Sequence, residues 1–293
     1  MTSDIRTGNI TKENYMESAV ISYVPYILAL PKLRQFDFTA DKIVSKEHNV
    51  ENDSVIPSFA NAEMTEINAA KVSTSSHSFN AYAKLLNLTK DIRKNPNINV
   101  QNFHNQILRQ LSIQFDKSAF GGEGGNNGLI TSIDSNIVSP SSAEIPAVSG
   151  NGFNQIQKIK EVATNLNLLV NTYTASDNLT VFFYGSALLA FLGKITEGQE
   201  NDVSFHFRQA FKNKTVNFVE LSSLSLPSSI TTNGIIVASN DLVEVEHCGL
   251  PIIENDGIND EKGYYYANYR LGSVQIRPEV LGAVIKQAIT FAS

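Results

Sequence analysis

The chain has 293 residues, 42% of them hydrophobic and 18% charged, with a formal net charge of −6. That length suits one large domain or two modest ones with an ample core, and the acidic balance gives no general basic footprint for nucleic acid. Cys248, the only cysteine, excludes an internal disulfide and a multi-thiolate metal site and fits synthesis in a reducing compartment.

The opening stretch, MTSDIRTGNITKENYMESAV, lacks the basic-then-apolar order of a signal peptide. The longest apolar run, Ala19 to Leu30, contains Pro25 and is shorter than the roughly 20 residues a bilayer crossing takes. The expectation is a soluble chain made in the cytoplasm, with no membrane partner. Residues 1–35 read as an arm whose Pro25 and Pro31 argue against one continuous helix. A mobile tail would not need the apolar Tyr23-Val24-Pro25-Tyr26-Ile27, so this stretch is expected to dock on its own chain or on a neighbour.

Residues 36–89 read as β material. Phe36, Phe38 and Ala40 alternate with polar residues, and Val55 to Phe59 and Thr65 to Val72 flank a turn at Asn61-Ala62-Glu63. The polar runs Lys46 to Ser54 and Ser73 to Ser78 are expected to interrupt it. A ribbon this polar buries little of its own surface, and an isolated hairpin is marginal in water; an ordinary edge hairpin of a sandwich is the alternative. A third strand, Phe79 to Leu88, follows.

Asn99 is a candidate N-cap for a helix whose Val100, Phe103, Ile107, Leu111 and Phe115 form one apolar stripe. Asn102, Asn105, Arg109, Gln110 and Lys117 occupy the opposite face. The helix runs into FDKSAFGGEGGNNGLI, Phe115 to Ile130. A phosphate-cradling P-loop needs Lys and then Ser or Thr directly after its glycines. Gly121, Gly122, Gly124 and Gly125 are followed instead by Asn126, Asn127, Gly128 and two apolar residues, so they read as a backbone joint.

Beyond the joint, Asp134 to Gly152 reads as a Ser/Pro-rich connection. A second helix is expected from a cap at Asn154 to Leu169, with Ile156, Ile159, Val162, Ala163 and Leu166 as its stripe. Then come a strand at Leu179–Tyr184 and a short helix at Ser186–Leu192, stopped by Gly193. Strands are expected at Thr215–Leu221, Ile235–Ala238, Val243–Val245, Tyr264–Leu271 and Val274–Ile276, with a terminal helix beginning near Pro278.

Residues that could carry chemistry do not converge in the sequence. His48, His77, His104, His206 and His247 show no paired ligand spacing. Adjacent His247 and Cys248 would point to opposite faces of a strand. Cys248 has no local signature of a nucleophile. Ser186 follows a strand and opens a helix, yet the GxSxG of a nucleophile elbow is missing, which leaves helix capping as its expected role. The acidic run Glu254 to Glu261 lacks the alternating ligands of an EF-hand and reads as a solvated connection. Tyr264, Tyr265, Tyr266 and Tyr269 could stack on bases, but they alternate between strand faces without basic neighbours, so strand packing is expected. No catalytic, cofactor-binding or metal-binding residue is assigned.

The order of these elements resembles the major capsid protein of tailed bacteriophages, a fold shared with encapsulin shells. Leu88-Thr89-Lys90-Asp91-Ile92 resembles the entry to that family's long spine helix, and Phe115 to Ile130 resembles its exit. Val237-Ala238-Ser239-Asn240-Asp241-Leu242 resembles the strand and turn of the axial lobe, and Arg270 to Ala283, RLGSVQIRPEVLGA, the strand-loop-strand near the end. The resemblance covers most of the chain, and the order of the motifs carries it.

It implies an α+β phage-capsid/encapsulin-type fold: an N-terminal arm (1–35), an extended β-loop (36–80), a peripheral domain with the spine helix (81–128 and 273–293), and an axial α/β domain (129–272). It further implies a structural protein without enzymatic activity or cofactor that assembles into hexamers and pentamers of a virion shell in the host cytoplasm. Such a shell encloses double-stranded DNA without sequence-specific binding, and net acidity suits a container that must release it. Scaffolding, portal and decoration proteins are the implied partners. No long scaffolding segment precedes the arm, as expected of a mature chain or one with a separate scaffold. The covalent Lys–Asn cross-links of some relatives have no motif here, so no residues are carried over for them. The alternatives are an encapsulin-type compartment with a protein cargo, or a small-ligand enzyme using the Gly121–Gly128 loop.

Overall fold

A computed structural model describes residues 23–35, 43–49, 71–77, 81–89, 100–122, 128–131, 136–147, 153–195, 203–247, 252–259, 264–272, 274–278 and 281–292. The expected strand residues 36–40 and 55–70, the cap at Asn99 and Cys248 lie outside them.

The apolar leading segment makes one 3-10 turn, Tyr26–Ala29, set up by Pro25 at φ −58°. It continues into β1 (Leu33–Gln35). β2 (Ile43–Asn49) and β3 (Lys71–His77) pair antiparallel in a two-stranded sheet of their own. The polar runs expected to interrupt the β material are instead built into it: Lys46–Asn49 and Ser73–His77 all lie in the ladder. A two-stranded ladder needs only backbone donors and acceptors, and β-branched Thr74 and Val72 suit it. β4 (Ala81–Thr89) matches the third expected strand.

Helix α1 (Val100–Gly121) has 22 residues, about 33 Å at 1.5 Å per residue. Its expected stripe is the buried one: Ile107, Leu111 and Phe115 are in the core, and Ala119 and Phe120 extend it. Gly122 closes the helix at φ +67°, the left-handed conformation that glycine supplies at a helix end.

The second lobe is a six-stranded sheet. Its strands are β5 (Ile137–Val138), β6 (Ala143–Ile145), β7 (Asn178–Tyr184), β8 (Thr215–Glu220), β9 (Asn233–Ser239) and β14 (Val284–Phe291). The order is β5-β14-β9-β7-β8, with β6 also on β14. β9 runs antiparallel to both neighbours, while β7–β8 and the pairings of β5 and β6 with β14 are parallel.

Strand periodicity divides the sheet's side chains into two cores. Phe182, Tyr184, Ile236, Ala238 and Val284 face the leading segment and α1, where Phe182 meets Phe120 edge-on at 5.3 Å between centroids. Leu179, Val181, Phe183, Ile235, Val237, Ile285 and Ile289 face α2 (Phe153–Tyr173), α3 (Ser186–Ile195) and α4 (Val203–Ala210). Fully burying one such side chain stabilises by roughly 1.5–3 kcal/mol.

Two smaller sheets complete the fold. β10 (Val243–His247) lies between β1, parallel, and β13 (Val274–Pro278), antiparallel. β12 (Tyr264–Gly272) lies between β11 (Ile252–Asn259) and β4, pairing with β4 from Ala81↔Gly272 to Thr89↔Tyr264.

Several sequence expectations are corrected. The Asp134–Gly152 connection contributes β5 and β6. Asn154 is the second residue of α2, and its Ile156 is half-exposed while Gln155 and Val170 are buried. Gly193 sits inside α3 instead of ending it; a helix-interior glycine costs only about 1 kcal/mol relative to Ala. The segment Val203–Ala210, unassigned in sequence, is helical. Glu254–Asn259 of the acidic run forms most of β11.

The expected terminal helix is β14. Pro278 ends β13 opposite Val243, and the chain reverses at Gly282, φ +78°. The β-branched Val284, Ile285, Ile289 and Thr290 then fit a half-buried strand. Residues 274–278 thus lie in the sheet with β10, and residues 284–291 lie inside the six-stranded sheet.

Candidate functional site

The most specific polar arrangement among the described residues is the seat of the leading segment on α1. Asp116 is fully buried, and a buried carboxylate needs donors on its oxygens. All three donors come from the leading segment. The Tyr23 hydroxyl donates to Oδ2 at 2.5 Å, the Tyr26 amide to Oδ2 at 2.9 Å and the Ile27 amide to Oδ1 at 3.1 Å.

Ile27, within the 3-10 turn, and Leu30, directly after it, sink fully into the core. Tyr23 packs edge-on against Tyr26 at 5.8 Å. Leu33–Gln35 then join the sheet beside β10. The docking surface of the apolar leading segment is therefore on its own chain.

Burial pushes the Asp116 carboxyl up to about 6, and the bonds from Tyr23, Tyr26 and Ile27 only partly offset it. Burial and then the Asp116 carboxylate push the Tyr23 hydroxyl well above the usual phenol range. Sequence reading missed this site. The signal was an acidic residue directly after Phe115, on the flank of an apolar stripe, where a carboxylate becomes buried as soon as anything covers the helix.

The glycine joint is a capped helix end. Gly122 N–H donates to Ser118 O at 2.9 Å, and the returning chain donates from Leu129 to Ala119 O and from Ile130 to Phe120 O, both at 2.8 Å. The last carbonyls of α1, otherwise orphaned, are satisfied by the chain itself. Lys286 on β14, its ammonium pulled below its ordinary value by burial, donates to Ile130 O at 3.2 Å. A Cβ on Gly128 would lie 2.2 Å from Gly122 N, and one on Gly121 2.2 Å from Pro227 Cγ. A helix C-terminus is the negative end of the macrodipole, so it repels a phosphate. Gly121, Gly122 and Gly128 thus form a backbone joint; Gly124, Gly125, Asn126 and Asn127 lie outside the described residues.

The remaining residues weighed in sequence stay apart. His104, His206 and His247 are buried on α1, α4 and β10. His48 and His77 lie towards opposite ends of the β2–β3 ladder. Among the described residues no group of three or more His, Cys, Asp or Glu is placed to hold a metal ion. Likewise no helix among them is long and apolar enough to cross a membrane.

Ser186 is exposed and begins α3, but the capping role expected of it falls to Asn233. The Asn233 Oδ1 accepts from the Ala187 amide at 3.2 Å and lies where a Cβ on Gly185 would be, 2.3 Å away. Tyr264, Tyr265, Tyr266 and Tyr269 lie on β12, the central strand of its sheet.

No protein-family model matches the chain, and no curated protein does. Solved structures do match. The capsid of Myoviridae Phage XM1 superposes with a TM-score of 0.59 at 12% identity, over 92% of this chain and 93% of that one. The capsid of an empty GTA particle gives 0.58 at 12%, over 94% and 92%. The virus-like particle from Pyrococcus furiosus gives 0.56 at 10%, over 97% and 98%. The chain has the α+β fold of these shell subunits, which is the fold its sequence resemblance implied.

Proposed function

We propose that this chain is the major capsid protein of a tailed bacteriophage, a structural subunit that assembles into hexamers and pentamers around double-stranded DNA. The observation that carries the reading is the extent of the fold match: 92% of this chain and 93% of a phage capsid subunit superpose, so the likeness covers whole subunits rather than a shared module. On this reading residues 1–35 are the arm and 36–80 the extended loop. Residues 81–128 with 273–293 form the peripheral domain, whose final strand β14 is shared with the axial domain of residues 129–272.

Physical chemistry supports the assignment. Among the described residues the β2–β3 ribbon forms a two-stranded sheet, and such a hairpin is marginal until packed against something else. In a shell the neighbouring subunits supply that surface, which links folding to assembly by mass action. Head-to-tail contacts between identical chains close into rings when the rotation closes. The proposed role needs no catalytic residue or cofactor. Scaffolding, portal and decoration proteins are its proposed partners, the virion its destination, and the host cytoplasm its place of assembly.

A second reading is an encapsulin-type compartment, favoured by the match over 97% of this chain and 98% of the Pyrococcus particle subunit. Expression followed by sedimentation and negative-stain microscopy tests the shared claim. Megadalton closed particles are expected, and a sharp monomer or dimer refutes both shells. Nuclease-protected DNA in the particles supports the phage; a co-purifying packaged protein supports the compartment.

A further inference from the structure

We infer that the Tyr23–Leu30 segment is a proton-coupled latch: in mildly acidic solution Asp116 takes up a proton from solvent as the segment docks on α1, and gives it back when the segment leaves. The geometry makes the coupling. Every donor to Asp116 comes from the segment itself, and with the segment docked the carboxylate is fully buried. Undocking therefore exposes a hydrated carboxylate, whereas docking strips its water and supplies three hydrogen bonds in return. Loss of that hydration disfavours the charged form. In the neutral acid the new O–H on Oδ2 donates to the Tyr23 oxygen, whose own hydroxyl turns towards Ser225, while Oδ1 and the lone pair left on Oδ2 keep the Ile27 and Tyr26 amide donors. No bond other than O–H forms or breaks.

The titratable groups at the seat can be named. Tyr23 and Tyr26 face Asp116 from the segment, and the Ser225 hydroxyl approaches Tyr23 from the neighbouring 3-10 turn Ser223–Ser225. On α1 the adjacent cation is Lys117. From β10, the His247 ring touches Phe115 edge-on at 5.9 Å between centroids, with buried Glu246 next to it; from β13 the described side chain is the apolar, buried Ile276.

The sign follows from linkage. A carboxyl raised from 3.8 to about 6 in the docked state makes docking strongest below pH 3.8. Docking weakens as the pH rises from 3.8 to 6 and then levels off, by up to about a hundredfold in all.

This coupling is a property of the single chain and does not require the shell. Hydrogen exchange of the full-length protein, at the assembly state fixed by sedimentation, reads it directly. Protection factors for the Tyr23–Leu30 peptide, corrected for the intrinsic pH dependence of exchange, should fall by up to about a hundredfold between pH 4 and 7.5. Asp116→Asn should abolish the slope, while Tyr23→Phe should lower protection at every pH and keep the slope. A flat wild-type profile overturns the latch whether or not the Asn variant folds. A slope that survives in Asp116→Asn assigns the titration to His247 or Glu246 and overturns it equally. Particles that form with a flat profile leave the capsid reading standing, and a monomer with a steep profile does the reverse.

Discussion

Replacing Gly128 with Ala tests the joint between α1 and the sheet. The added Cβ would lie 2.2 Å from Gly122 N, 2.7 Å from Gly121 C and 2.7 Å from Phe120 O. All three are backbone atoms, so no side-chain rotation gives relief. The returning chain must move away from the helix end, and the bonds from Leu129 and Ile130 to Ala119 O and Phe120 O are lost or stretched. Each is worth about 1 kcal/mol net, and a carbonyl left buried and unpaired costs 1–3 kcal/mol, so the expected loss is roughly 2–4 kcal/mol. For 293 residues, at about 2.1 cal/mol/K of unfolding entropy per residue, 3 kcal/mol lowers the melting temperature by about 5 °C. Calorimetry at matched assembly state measures it. The general effect of Gly→Ala has the opposite sign, a gain of about 0.4–1 kcal/mol from the stiffer unfolded chain. A melting temperature unchanged or raised would therefore refute the close approach outright.

Asn233→Ala removes the acceptor for the Ala187 amide and should cost about 1 kcal/mol, with faster hydrogen exchange confined to the first turn of α3; uniform exchange would argue against a local cap. Gln287, buried on β14, donates to Ser141 O at 2.7 Å; water can replace it at the exposed Ser141, so Gln287→Leu should cost about 0.5–1.5 kcal/mol in urea denaturation. Replacing residues 43–77 by a short Gly/Ser linker should leave circular dichroism of the remaining fold intact but abolish closed particles in the microscope. Wild-type shells from that variant would show that the ribbon is dispensable for assembly.

Helix α1 was legible because five apolar residues recur at helical spacing, and Ile107, Leu111 and Phe115 of that stripe end up in the core. The strand at Leu179–Tyr184 was legible as a short, nearly continuous apolar run, which fits a strand covered on both faces: Val181 and Phe183 go to one core, Phe182 and Tyr184 to the other. What sequence could not settle depended on partners distant along the chain. Val284–Phe291 carries no intrinsic label that separates a last helix from a strand, and only the slot between β9 and the β5/β6 edge decides it. Ser73–His77 looked too polar for a strand because the reading assumed one buried face. Asp116 looked like an ordinary helix charge because its donors lie about ninety residues upstream. The Ser186 cap failed similarly, since a nearby hydroxyl was outcompeted by the amide of Asn233 from another strand.

The leading segment is anchored at Asp116 and, through Leu33 opposite Val245, on β10, both far along the chain. Closing such long loops is entropically the costliest step and follows contacts between sequence neighbours. A molecule whose first stretch is undocked presents a bare strand edge on β10 and a wet carboxylate on α1. At high local concentration the stretch from another molecule can fill the same berth with identical contacts, so exchange of leading segments between molecules costs no interaction that self-closure would have made.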